Sequence, residues 1–275
     1  MSMSVTINSP ASQRGAGAMV RDLVEGALKT EVWSAFAWDE TLARYRRSAL
    51  GLAWIVLSYG FFVVVLAIFF GDFSSATTRD FLIYVALGFA VFSLLNGNLV
   101  DGCAVFVNSA NWIKSASIPY SVFVYKSIFR SITPFFLELT VALATMTYLG
   151  WKPTIGALWA IPAFGAMLLF SVWVQYLLGL FAARWRDVTH LMGALSRTLF
   201  VVTPILWLYK DARPLVRSIA DYNPFTHYVQ IFRAPMLGDP VPVESWVFVG
   251  WFTLGGLLLT LAVGAAFRHR LPHWI

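Results

Sequence analysis

The chain has 275 residues, 59% hydrophobic and only 12% charged, where an ordinary soluble domain carries about 25% charged residues. One soluble core of this size cannot bury that much apolar surface, whereas a bilayer can act as its apolar solvent. The net charge of +6 sits at the ends of apolar runs, which speaks for membrane orientation and against nucleic acid, and the single cysteine, Cys103, excludes an internal disulfide and a multi-cysteine zinc site.

Residues 1–18 are Ser/Ala/Gly-rich and are expected to be disordered. Residues 19–47 place Val20, Leu23, Val24, Leu28, Val32 and Phe36 at helical spacing among charged residues. This pattern predicts a cytoplasmic amphipathic helix that lies on the membrane and does not span it. Its Asp39-Glu40 pair reads as a solvated face, and it ends in the basic cluster Arg44, Arg46 and Arg47. Residues 1–48 contain no early apolar core with a cleavage site, so the first apolar run is expected to serve as both signal and anchor.

The rest, 48–275, reads as one membrane domain with six spans, at about 49–70, 81–100, 131–149, 158–181, 188–207 and 245–267. Each approaches the roughly 20 residues that cross a hydrocarbon core, and backbone groups in lipid must be satisfied internally, so the spans are predicted to be α-helical. The fifth is the least regular, because Arg197 and Pro204 interrupt it. Arg197 and Glu138 are the two charges inside predicted spans; either they line a polar path or pair, or Arg197 snorkels to the interface and Glu138 makes one structural hydrogen bond. With six alternating spans, thirteen Lys and Arg fall on the side of the two termini and six on the other, leaving Arg197 aside. The excess predicts that both termini are cytoplasmic.

Two connections are too long to be turns. Residues 101–130 hold Phe106, Trp112, Ile113, Lys114, Ile118 and Tyr120, which predicts a short interfacial helix and then a turn at Pro119. Residues 208–244 hold Pro214, Pro224, Pro235, Pro240 and Pro242, with the apolar stretch 225–232 between them. Short half-helices between these prolines, re-entrant or surface-lying, are expected on the outer side. There is no G-x-x-x-x-G-K-[ST] phosphate loop, no G-x-G-x-x-G and no H-E-x-x-H, and the four histidines are scattered. No cofactor is therefore expected in this chain. The aromatics, 16% of residues, fit interfacial belts and equally a stacking path for sugar rings.

The order of motifs is specific. Arg44-Tyr45-Arg46-Arg47-Ser48-Ala49-Leu50-Gly51-Leu52-Ala53-Trp54 leads into span one, Trp185-Arg186-Asp187 precedes span five, and Asn223-Pro224-Phe225-Thr226 runs on to Phe232-Arg233-Ala234-Pro235 before span six. With the tail His273-Trp274-Ile275, the chain over about residues 20–275 resembles the ABC-2 type permease family, in particular subunits that export lipid-linked O antigen or capsular polysaccharide. The resemblance implies a homodimer in a bacterial inner membrane, paired with two copies of a separate cytoplasmic ATPase that alone binds ATP and Mg. It implies ATPase contacts along the arm and at Trp112, Ile113, Lys114, Ile118 and Pro119, and a periplasmic gate at Asn223, Pro224, Phe225, Arg233 and Pro235. Arg44, Arg46 and Arg47 have a plain role as positive-inside anchors; the sharper reading is a collar for the pyrophosphate of a lipid-linked polysaccharide. An ABC-2 exporter of a drug or small lipid competes with this reading. A membrane-embedded glycosyl or lipid-phosphate transferase is the other rival, but the chain has only 14 acidic residues and no clustered carboxylates beyond Asp39-Glu40. A plain channel would not need the amphipathic docking elements.

Overall fold

The computed structural model describes residues 15–46, 48–71 and 76–275 and contains helices and no strand among them. The arm forms two helices, α1 (Ala16–Leu28) and α2 (Thr30–Tyr45), joined at Lys29, where φ −80 and ψ 50 break the helix. The apolar stripe does not make the buried face of α1. Val20, Val24 and Leu28 are exposed, and Met19, Asp22 and Gly26 face the bundle. The docking of this face has a local cause: Asp22 finds backbone donors at the start of another helix, and Gly26 has no side chain to prevent the approach. A Cβ at Gly26 would overlap Ser121 Oγ and come within 3.1 Å of the Val122 backbone nitrogen.

The bundle follows as α3 (Ala53–Gly71), α4 (Thr78–Gly102), α5 (Ala110–Ser115), α6 (Ser121–Tyr148), α7 (Ala160–Arg184), α8 (Asp187–Val202), α9 (Pro214–Asp221), α10 (Pro224–Leu237), α11 (Val243–Phe267) and the short α12 (Leu271–Trp274). Five stretches are long and apolar enough to cross a membrane: 53–70, 78–102, 121–148, 155–184 and 243–274. The chain is a multi-pass membrane protein on that ground. Helix α4 is the central column, with α3, α6, α7, α8 and α10 packed around it, and its first turn is capped by Thr77, whose hydroxyl accepts the Asp80 N–H at 3.2 Å.

Two expected spans take a different form. The third was expected from 131, but α6 begins at Ser121. The early start is possible because Lys126 and Arg130 are neutralised by Glu40 and Asp101, so the helix runs on through a polar stretch. The fifth, expected over 188–207, forms only the 16-residue α8, about 24 Å long at 1.5 Å per residue. It stops where Thr203 turns extended (ψ 132) ahead of Pro204, as the residue before a proline is pushed to do. The 208–244 connection forms the two short helices α9 and α10; α10 is capped by Asn223 at its start and by Gly238 (φ 86) at its end, where a left-handed residue is needed.

Both described ends of the chain meet at one end of the bundle. The Gly15 N–H reaches the Ala265 carbonyl at 3.5 Å, and the Arg268 guanidinium donates to the Ala18 carbonyl. Replacing Gly26 by Ala should lower stability by about 1–3 kcal/mol through overpacking against Ser121 and the α6 backbone. The check is thermal unfolding of the purified protein; an unchanged midpoint would contradict this packing.

Candidate functional site

The first turn of α6 gathers the arm, the 110–119 segment and the tail. Its amide groups need acceptors from elsewhere, because a helix start leaves four N–H groups without intrahelical partners. Asp22 supplies them: Oδ1 accepts the Tyr120 N–H at 2.9 Å and Oδ2 the Ser121 N–H at 3.1 Å. The Ser121 hydroxyl donates to the Asp22 carbonyl at 2.5 Å, and the Tyr125 hydroxyl to the Leu23 carbonyl at 3.1 Å. Burial pushes the Asp22 carboxyl up from its ordinary value, against the pull of Arg268 and of the two backbone N–H groups. Arg268, 1% exposed, lies 3.9 Å from Asp22 Oδ1. Met19, Ile113, Tyr120 and Leu271 close an apolar cluster around this joint, so α1, α5, α6 and the tail share one core.

Beside the joint lies a polar cavity of about 260 Å³ between α2, α4 and α6, lined by Glu40, Arg44, Asp101, Asn108, Lys126, Ser127 and Arg130 among others. Glu40 accepts from Lys126 Nζ at 2.6 Å and from Arg130 Nη1 at 3.2 Å, and Arg130 Nη2 donates to Asp101 at 3.0 Å. Glu40 is therefore a bridge and not the solvated residue expected from the sequence. Of the basic cluster, Arg44 stands at this cavity, Arg46 is exposed, and Arg47 lies outside the described residues. In the 110–119 segment, Trp112 is half-exposed and its ring sits 5.1 Å from Phe36 of α2; Ile113 and Pro119 are buried, Ile118 is half-buried and Lys114 is exposed. The segment therefore touches α2 and offers an open polar edge.

At the opposite end of the bundle, the residues singled out from the sequence are buried anchors. Asn223 Oδ1 accepts the Phe225 N–H at 3.0 Å while its Nδ2 donates to Thr203 Oγ1 at 2.8 Å. Pro224 takes the first helical position, Phe225 packs edge-on against Phe92 and Phe170, and Pro235 is buried in the last turn of α10. Arg233, 1% exposed, donates to the Pro204 carbonyl and to the Tyr84 hydroxyl, each at 2.8 Å, and lies 3.5 Å above the Tyr84 ring. Asn223, through the Thr203 hydroxyl, and Arg233, through the Pro204 carbonyl, thus hold the non-helical break after α8 from two sides, and Arg233 satisfies a backbone carbonyl that a bilayer cannot. Near them, Tyr209 donates to Asp221 at 2.6 Å, which holds its phenol above the ordinary value.

Glu138 and Arg197 are not brought together. Glu138 is buried on α6 and accepts from Ser93 at 3.2 Å, while Arg197 is exposed on α8. Among the described residues no group of three His, Cys, Asp or Glu stands together to hold a metal ion. Sequence reasoning missed Asp22, Glu40, Lys126, Arg130 and Arg268 as joint residues. The available signal was charge within apolar surroundings, Arg268 directly after span six and Lys126 within an otherwise apolar run.

Residues 31–237 match the family described as ABC-2 type transporter. The chain is 20% identical over 231 residues to the O-antigen export system permease protein RfbA of Klebsiella pneumoniae, covering 84% of this chain and 88% of that protein. It is 23% identical over 244 residues to the protein of the same name from Myxococcus xanthus, covering 84% and 89%.

Asn223→Ala removes a cap and the tie to Thr203, and should cost about 1–2 kcal/mol. Thermal unfolding reads the loss, and Asn223→Asp, which keeps the acceptor, should recover part of it. An alanine variant as stable as the parent would remove the anchoring role.

Proposed function

The chain belongs to the ABC-2 type transporter family and is a membrane subunit for transport; from that premise we propose that it is the permease of an ATP-driven exporter of a lipid-linked polysaccharide in a bacterial inner membrane. The observation that carries the substrate class is the similarity, over 84% of this chain, to two O-antigen export permeases. A separate cytoplasmic ATPase supplies ATP and Mg chemistry, and this chain converts its closure into helix movement. Two copies of each make the working assembly.

Six crossings are supported by parity. The described ends of the chain meet at one end of the bundle, so the number of traverses between them is even, and five long helices need a sixth. Cys103 and Thr189 line one cavity at that end, whereas Pro204 is tied through Arg233 to Tyr84 near the far end of α4. The chain from 187 to 204 thus runs the length of α4, with the stretch after Val202 completing what α8 begins. The Lys and Arg excess puts the termini in the cytoplasm.

The second copy belongs against α8. This helix has no buried residue and carries Arg197, and a charge facing lipid is costly. Pairing through α8 and the exposed side of α3 puts Arg197 on a polar path between protomers. The arm and the half-exposed Trp112 with Lys114, Ile118 and Pro119 present the surface for the ATPase. Arg44, Arg46 and Arg47 receive the anionic end of the lipid carrier. The α9–α10 pair, with Asn223, Pro224, Phe225, Arg233 and Pro235, frames the periplasmic exit.

Deleting the gene should strip the glycan from the cell surface and leave lipid-linked polymer inside; an unchanged surface glycan would overturn the proposal. Trp112→Ala, at a half-exposed position, should cut export about tenfold while ATPase binding to the chain persists, the size of a typical coupling term. Pulse-labelled surface glycan measures this, and full export would remove Trp112 from the coupling surface.

A further inference from the structure

We propose that the cavity between α2, α4 and α6 binds a phosphate or diphosphate group, and that Glu40 is the internal anion holding its cations until that group arrives, so that binding loosens α2 on α6. Lys126 and Arg130, four residues apart on one face of α6, converge on a single carboxylate at 2.6 and 3.2 Å. Two cations closing on a pair of oxygens is how a phosphate is gripped, and the guanidinium fork suits its oxygens. Arg44 adds a third cation at the wall and makes no ion pair among the described residues. Against Glu40 and Asp101 this leaves an excess of one positive charge.

Two further observations point to an occupant. The Ser127 side chain lines the cavity, is 2% exposed, and its hydroxyl has no hydrogen-bond partner among the described residues. A buried hydroxyl normally finds a partner, and a phosphate oxygen in the cavity would be one. The two ends of the Glu40 bridge are also unequal: the Lys126 side chain is 9% exposed and the Glu40 side chain 42%. A desolvated ammonium needs an anion, whereas a half-exposed carboxylate can return to water at little cost. A phosphate carries more charge than the carboxylate it would replace, so exchange at this position is favoured.

The consequence follows from the break at Lys29. The Asp22 joint holds α1 to α6 independently of Glu40, and the Trp33 ring of α2 stays packed on Tyr125 and Phe129 of α6, so losing the Glu40 bridge loosens the part of α2 beyond Trp33 while α1 stays fixed. Since Trp112 packs on Phe36 of α2, the loosening reaches the 110–119 segment. The diphosphate of a lipid-linked glycan as the natural source rests on the exporter reading; the site itself does not.

The test uses the full chain in neutral-lipid nanodiscs, titrated with inorganic pyrophosphate by calorimetry, with hydrogen exchange followed over residues 30–45. Binding below about 1 mM is expected, with faster exchange in α2 and none in α1. Glu40→Gln should bind about tenfold tighter and show fast α2 exchange without ligand, since the internal competitor is gone. Ser127→Ala, a small change that leaves packing intact, should weaken binding several-fold, and Lys126→Met should abolish it. A second arm replaces pyrophosphate with phosphatidic acid in the disc. A response to either supports the site and names its source, diphosphate or lipid headgroup. No response to either, or a Glu40→Gln chain that binds no tighter, overturns the inference. A chain that passes while its deletion leaves surface glycan intact loses the exporter reading alone, and one that exports glycan without binding either probe loses this inference alone.

Discussion

The amino end of α6 is the constraint on which the arrangement depends. A helix beginning just after Pro119 has exposed amides and no local side chain that caps them. Asp22, ninety-eight residues upstream of Tyr120, provides the acceptor. Once that carboxylate is buried, Arg268 must come close to offset its charge, and the tail must follow. The place of the arm, the start of the third long helix and the course of the last eight residues are consequences of one cap. It also explains why Gly26 is a glycine: the arm approaches until only hydrogen fits.

Much of the bundle was legible from composition. Four of the expected spans match long helices within a few residues, because an uncharged run of about twenty has few alternatives in a bilayer. The misplacements arose where long-range pairing decides the outcome. Lys126 and Arg130 read as loop charges until Glu40 and Asp101 neutralise them from two other helices. The stripe Val20–Val24–Leu28 read as the membrane-lying face and is exposed, and what the sequence did not show is that the opposite face docks on α6 through Asp22. No periodicity in one segment could reveal either, since the partners lie 29 to 98 residues away.

The 208–244 segment teaches the same lesson in reverse. Asn223, Pro224, Phe225, Arg233 and Pro235 stood out as a motif, and the structure gives each a buried packing or bonding role around the break at Thr203–Pro204. Their chemistry is to make irregular backbone tolerable beside a bilayer. Both ends of the molecule are held by buried polar groups bonded to backbone, Asp22 at one and Arg233 at the other, and the Asp22 end adds the ion pairs of Glu40 and Asp101.

The central claim, that this chain moves a lipid-linked glycan with energy from a separate ATPase, is tested most directly in sealed vesicles. The chain and its partner ATPase are reconstituted with lipid-linked O antigen on one face, and glycan on the other face is measured by lectin binding. The account predicts that glycan crosses only when both proteins and hydrolysable ATP are present. Transfer by the chain alone, or at the same rate with a non-hydrolysable analogue, would contradict it.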